Sequence, residues 1–561
     1  MWYSSIKLPN LKVGAIKLKL EPLVANRPGF AFFTLALFFL GISSLIARNL
    51  LFKGLPPGVD SPTFLHMAWF TKETLLGNGG LTDPYWYGGF SVFSIYPPLG
   101  YGIVGVIASI PGVGFILTYK IVLLLSYSLV GTTTYYIARK LGNGFSLSLF
   151  AGLIVILAYP VQASVGLWGW YSTIAAIPLA LLSLILLEKA HDRNSAIIAV
   201  LAGIFLGFSA LSHHMTAFAY GLFLPIWLLY HLLRKPMLGK HLLKISVLFL
   251  FGLTITTIWW IIPWATSLLE YSFEREIPGI WSFPLHRYFK ASLDGELIGS
   301  HIYPSYIGLG LILMAVGGLI HTLSIASRTT PYAILLLVMI AFSLGEAINP
   351  IVKIWPFSRL DVARFQVYMI PIVAIVGIPF LKDATKTITS FITLAIKKTL
   401  PTYIATWIII GLIAVPMVWD SGVTSSKIFK PYLVTPDAQS AFNWLDQEGR
   451  EGSILGVGSW HWHTFLVPYI LERNVIDGWH DEGANNWKQV RALRTMMWTG
   501  NIDATRVHNI LTELNGRYIV IEDRHPGESP KEFKAALLKK INLFNQVADL
   551  NKVSIFEVLQ P

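Results

Sequence analysis

The chain has 561 residues, 54% of them hydrophobic and only 13% charged, with a mean hydropathy of +0.58. Soluble domains carry about 25% charged residues, so a multispan membrane protein is expected. The absence of cysteine excludes disulfides, thiolate metal sites and cysteine nucleophiles, and the net charge of +12 lies in short turns between apolar runs, which argues against a nucleic-acid surface.

In chain order, Lys7, Lys12, Lys17, Lys19 and Arg27 precede an apolar run of about 20 residues, too long for the core of a cleavable signal, so an uncleaved first span is expected. Spans are predicted near 28–47, 115–137, 145–163, 173–187, 196–212, 217–233, 245–268, 305–325, 331–347, 363–382 and 402–419, about eleven in all. The stretch YPPLGYGIVGVIASI (96–110) is apolar but short and opens on two prolines, which suits a juxtamembrane or re-entrant helix. With that assignment the basic turns, among them Arg139/Lys140, Lys189/Arg193, Arg234/Lys235 and Arg328, share one side with the N-terminus. The excess of Lys and Arg makes that side cytoplasmic.

The opposite side receives the first loop (48–101), the loops 269–304 and 348–362, and everything after Asp420. The chain therefore divides into a transmembrane domain, 1–419, and an extracytoplasmic α/β domain, 420–561. In the tail, Thr435 and Pro436 start a helix, SILGVGS and RYIVIED read as strands, SPKEFKAALLKKI as a helix and KVSIFEVL as a closing strand. A polytopic helical protein of the cell membrane with an outer α/β domain is the expected fold.

No P-loop, dinucleotide fingerprint, HExxH or GxSxG is present, so ATP hydrolysis, nicotinamide chemistry, zincin proteolysis and α/β-hydrolase chemistry lack local support. The candidate residues gather at the outer ends of spans: Asp60 and Asp83 in the first loop, His213 and His214 in SHHMT, Lys290 and His301 in the middle loop, and Arg359, Asp361 and Arg364 in SRLDVARFQ. A carboxylate at the headgroup boundary beside aromatic, Pro-rich segments suits chemistry on a lipid-borne substrate. For a phosphate-bearing lipid, an acid must deprotonate or orient the attacking group, and a cation must hold the departing phosphate, which the planar fork of arginine does well. The plainer readings are also open. Asp60 could N-cap the helix beginning at Ser61, Arg364 could anchor a span and pair with Asp361, and the two histidines could cap a tight turn. In the tail, Trp460, His461, Trp462, His463 and Trp479 crowd together. They could stack on an acceptor glycan or pack the tail onto the membrane domain. If WHWH is extended, its tryptophans and histidines fall on opposite faces. Asp60, Asp83 and a histidine could ligate a divalent metal. The loop GLWGWYS carries no acid and no DxD pair lies outside, so no required metal or other cofactor is expected.

Taken in order, these features resemble the GT-C integral-membrane glycosyltransferases. They are most similar to archaeal multispan proteins labelled as 6-pyruvoyl-tetrahydropterin-synthase-related membrane proteins, a label that implies no pterin chemistry here. The resemblance rests on the basic N-terminus, Asp60, DPYWYGG followed by YPPLGY, the ARK turn (138–140), LSHHMTA, SRLDVARFQ and NVIDGWHDEG. It implies transfer of a sugar from a polyprenyl-phosphate carrier to a glycan, lipid or protein acceptor on the outer face. By this likeness Asp60 is the acceptor-orienting base and Arg364 a lipid-phosphate ligand, with Asp83, His213 and His214 as further candidates; Arg359, Lys290 and His301 would join the donor side. The WWDYG-like sequence of the metal-dependent oligosaccharyltransferases is missing, which favours a metal-independent monosaccharide transferase. One visible acid instead of a flanking carboxylate pair implies inversion in one displacement. Two alternatives stand beside this: a lipid or sugar transporter or flippase, and a non-catalytic protein whose tail binds the envelope.

Overall fold

A computed structural model describes residues 28–51, 54–270, 290, 306–325, 327–345, 349–354, 357, 360–396, 402–478, 484, 486–523 and 528–560. Five described helices are long and apolar enough to cross a membrane: Phe115–Lys140, Tyr171–Arg193, His214–Arg234, Pro236–Thr266 and Val362–Leu394. Phe145–Leu157 and Tyr159–Gly166, bent by 46°, make a sixth if taken as one span. Pro160 accounts for the bend, since its ring cannot follow a helical turn without a clash and a lost hydrogen bond. The carbonyls freed there find side-chain donors. Tyr127 donates to Ile156 O and Gln162 Nε2 to Leu157 O at 3.0 Å. Such compensation lets a broken helix persist where water is scarce. Phe32–Ile46, Ala196–Ser212, Leu309–Ser324, Thr330–Ser343 and Ile408–Val423 are apolar but shorter. By length and composition, five or six helices among the described residues are thus able to cross a membrane, fewer than the eleven spans expected.

The helix Phe365–Ile396 runs through the middle of the bundle, and its residues from Phe365 to Ile378 are almost all buried. Gly239–Glu270 lies on the flank, exposing Leu250, Phe251, Ile255, Ile258, Trp259 and Ile262. So continuous an apolar face is stable only against lipid. At one end of the bundle Lys140 pairs with Asp192 at 2.8 Å and Arg328 approaches the same carboxylate at 3.7 Å, drawing basic turns together. Asp60, Trp170 and Arg364 occupy the other ends of these helices.

The helix Thr402–Ile428 continues past residue 419 through the polar stretch DSGVTSSK. The tail then forms a four-stranded sheet from β1 (Ser453–Gly458), β2 (Gly516–Glu522), β3 (Phe544–Leu550) and β4 (Val553–Val558), in the order β1-β2-β4-β3. β1 and β2 are parallel; the other pairs are antiparallel. The helices Trp487–Thr499 and Ala504–Glu513 lie in the crossover between β1 and β2, as parallel pairing requires. Two further segments extend this sheet beyond β1. Ile454 N donates to Asn474 O at 3.0 Å and Ile476 N to Ile454 O at 2.9 Å, and then Val475 N donates to Tyr85 O at 2.7 Å. The first loop (48–101) is therefore hydrogen-bonded into the sheet of the tail.

WHWH is not extended. Trp460–Thr464 is a short helix, so the two-residue alternation does not sort its rings onto two faces. Trp460 is wholly buried against Phe442, with ring centroids 5.0 Å apart, and His463 Nδ1 lies 3.0 Å from the Tyr432 hydroxyl.

Candidate active site at the outer ends of the spans

Asp60 ends a tight approach between the first loop and the GLWGWYS loop. Its backbone N–H donates to Trp168 O at 2.8 Å, and Val59 N donates to Leu167 O at 3.1 Å. Gly58, at φ +102°, makes this possible, because a Cβ there would lie 2.3 Å from the backbone nitrogen of Gly169. The helix Ser61–Leu75 then starts with Pro62 in its first turn, where proline's fixed φ is no hindrance.

Asp60 occupies the N-cap position, yet its side chain makes no cap hydrogen bond. It is 4% exposed, and no hydrogen-bond donor reaches its carboxylate among the described residues. Capping therefore does not explain it. Burial pushes its pKa up to about 7, the Arg364 charge pulls it down and the Asp361 charge adds to the rise. A carboxyl group so poised can exchange a proton near neutral pH.

Arg364 lies in the 3₁₀ turn Val362–Arg364, just before the central helix. Its Nε donates to Asp361 Oδ2 at 2.8 Å, its Nη1 donates to Thr173 Oγ1 at 3.2 Å and lies 3.3 Å from His213 Nε2, and the guanidinium rests 4.4 Å from the Trp170 ring centroid. The expected ion pair with Asp361 is present, and it is one of several contacts that orient the fork. His213 caps the helix His214–Gly221, with Nδ1 3.3 Å from Thr216 N and 2.9 Å from Thr216 Oγ1. The Tyr368 hydroxyl lies 3.4 Å from the same nitrogen. Capping and contact with Arg364 are thus both true of His213. Tyr96 is buried within reach of the Asp60 and Arg364 charges, and burial holds its hydroxyl protonated, with a pKa of about 12.

The other candidates are dispersed. Asp83 is fully buried, with Oδ2 2.5 Å from His66 Nε2 and Oδ1 accepting from Tyr85 N at 2.9 Å. Both oxygens are engaged, one by a side chain and one by the backbone of the loop. His214 turns toward Trp260 and Trp264. Lys290 is exposed, and no contact among the described residues ties it to Arg364. Arg359, His301 and Trp479 lie outside the described residues, as does the side chain of Trp462. Trp460, His461 and His463 are buried at 0%, 9% and 4% exposure. Trp460 packs into the core of the tail with no ring face exposed.

Residues not anticipated are Trp170, Thr173, Tyr96 and Tyr368 around Arg364, and His66 opposite Asp83. GLWGWYS carries no acid, yet it supplies the Trp168 carbonyl that anchors Asp60 and the Trp170 ring under Arg364. Among the described residues no three His, Asp or Glu side chains group as a metal ion requires. Asp361, the carboxylate nearest in sequence to Arg364, is paired with that cation.

Residues 93–421, more than half of the chain, match the family described as the 6-pyruvoyl-tetrahydropterin synthase related domain, a membrane protein. The chain belongs to this family. No curated protein matches it. Among solved structures, the apo oligosaccharyltransferase of Archaeoglobus fulgidus superposes with a TM-score of 0.56 at 13% identity, over 87% of this chain and 69% of that one. ArnT from Cupriavidus metallidurans bound to undecaprenyl phosphate gives 0.55 at 16% identity, over 93% and 97%. The arabinofuranosyltransferase AftD from Mycobacteria gives 0.58 at 14% identity, over 94% of this chain but only 40% of AftD. The fold is that of the GT-C glycosyltransferases, and the protein is a helical membrane protein with a small sheet near its C-terminus.

Proposed function

We propose that this protein transfers a sugar from a polyprenyl-phosphate-linked donor to an acceptor on the outer face of the membrane. The observation that carries the reading is the buried, uncapping Asp60 carboxyl beside the oriented Arg364 guanidinium at the outer ends of the spans. A carboxylate kept from water without a structural partner costs stability, and such groups gather where function requires them. GT-C relatives in fold, one solved with undecaprenyl phosphate and another with a tethered acceptor peptide, support a lipid-linked donor and a separate acceptor.

In this mechanism Asp60 accepts the proton of the acceptor nucleophile as that atom bonds to the anomeric carbon. The bond from that carbon to the phosphate oxygen breaks in the same displacement, inverting the centre. The electron pair leaves with the polyprenyl phosphate, whose charge Arg364 stabilises. Asp361, Thr173 and Trp170 keep the guanidinium aimed, with His213 beside them. The charge pattern supports a cytoplasmic N-terminus and an outer tail, and eleven crossings would complete that topology. The test is incubation of purified protein with polyprenyl-phosphate sugars and candidate acceptors, following released polyprenyl phosphate and product configuration by NMR. Release with inverted linkage is expected; donor turnover absent with every sugar and acceptor class would reject the proposal.

A further inference from the structure

The tail and the first outward loop are joined by more than apolar contact. Arg494 in the tail holds Asp477 with two bonds, Nε to Oδ2 at 2.9 Å and Nη2 to Oδ1 at 2.6 Å. Its Nη2 also donates to Gly478 O and to the Tyr87 hydroxyl, the latter at 3.2 Å. Tyr87 belongs to the first loop. It is 1% exposed and sits at φ +57°, a left-handed conformation that a tyrosine adopts only where its surroundings impose it. Gly478 admits the ring, since a Cβ there would come 2.6 Å from Tyr87 Cε2. Backbone pairing flanks this contact, with Tyr87 N donating to Val475 O at 3.2 Å.

From the loop a second joint leads to the active site. Asp83 Oδ1 accepts from Tyr85 N while Oδ2 meets His66 Nε2 at 2.5 Å. The His66 ring stacks on Trp86 with centroids 4.3 Å apart. His66 lies on the helix Ser61–Leu75, whose first residue follows Asp60. A run of directional contacts thus connects Arg494 in the tail to the helix that begins at the proposed base. Apolar packing alone would permit sliding; a bidentate ion pair and a buried His–Asp contact fix direction.

We propose that Arg494 is a positioning residue for glycosyl transfer: with Asp477 it clamps Tyr87, and through Asp83 and His66 it fixes the helix that sets Asp60 against the acceptor. The inference rests on the transferase reading for its kinetic part and on geometry alone for the clamp. Removing the clamp leaves donor binding at Arg364 untouched and loosens Asp60, so kcat falls while the donor KM holds. A misplacement on the ångström scale costs roughly tenfold to a hundredfold in rate.

The natural chain has no cysteine, so a pair of engineered cysteines can be labelled uniquely. Leu81 in the loop is 78% exposed and Trp498 in the tail 52% exposed. The full-length double variant Leu81→Cys/Trp498→Cys, spin-labelled in nanodiscs, reports the loop-to-tail distance distribution without reference to turnover. Arg494→Gln, and Tyr87→Phe as the milder variant should the first fail to fold, are each expected to broaden that distribution. Each is also expected to lower kcat with unchanged donor KM, and Arg494→Lys to recover part of both. An unchanged distribution in a folded variant would refute the clamp. A broadened distribution with unchanged kcat would refute positioning and leave a purely structural joint. Should the parent protein transfer no sugar, the functional proposal fails, and the distance distribution then decides the clamp by itself.

Discussion

Replacing Asp60 by asparagine removes a charge that the fold holds at a cost, so the variant gains stability in the pH range where it loses activity. The carboxyl group titrates at about 7 in the folded protein against 3.8 in an unfolded chain. At 1.36 kcal/mol per pH unit, ionised Asp60 lowers stability by about 4 kcal/mol. The sign follows from proton binding. Below 3.8 both states are protonated and the cost is absent. Between 3.8 and about 7 the unfolded chain has lost its proton and the folded one keeps it, so stability falls as pH rises. Above that window both are ionised and the full cost persists. The Asp60→Asn side chain cannot titrate, so the variant lacks this descent. Thermal unfolding followed by tryptophan fluorescence, in one detergent from about pH 5 to about pH 8.5, compares the two slopes. The expected result is two curves that draw closer toward acid pH and separate toward neutrality, with the variant higher. Parallel curves would refute the reasoning, because they would mean that Asp60 is solvated or paired in the working protein.

Three further outcomes are expected. Arg364→Gln removes charge-assisted bonds that contribute about 1.5–3 kcal/mol each, so affinity for polyprenyl phosphate should drop roughly tenfold or more, read by direct binding; unchanged affinity would move the phosphate site elsewhere. The logarithm of kcat/KM should rise with unit slope below pH 7 and level above it, as Asp60 loses its proton; a flat profile through neutrality would contradict its part as base. Exhaustive EDTA treatment should leave turnover intact, and loss restored by Mg²⁺ or Mn²⁺ would overturn the metal-independent mechanism.

Much of the scaffold is legible in the sequence because hydrophobic runs and basic turns are local signals. β1, β2 and β4 are each announced by short apolar, β-branched runs. β3 is not, because FNQVADL mixes polar and apolar residues and becomes a strand by pairing with β4. Asp60 and Arg364 are conspicuous in the sequence for a physical reason: charged side chains at the ends of apolar segments are costly. Their surroundings are not. His66 and Asp83 are 17 positions apart, and Arg364 lies 191 residues from Thr173. Only the folded chain makes them neighbours. In the sequence Asp83 is as eligible as Asp60; only the fold shows both of its oxygens engaged. The WHWH stretch misled because an alternation of two fits a strand, while five residues in a helical turn bury Trp460 instead. The role of GLWGWYS lies in a backbone carbonyl and an aromatic face, features that a search for acids cannot detect.

The most direct test is single-turnover transfer by the Asp60→Asn protein, with donor binding verified in the same preparation. Donor affinity within about twofold of the parent and a transfer rate lower by roughly 10²–10⁴ are expected if the carboxylate takes the acceptor proton. Transfer at the parental rate from a fully loaded Asp60→Asn protein would show that the proton goes elsewhere and would contradict the assignment of this site.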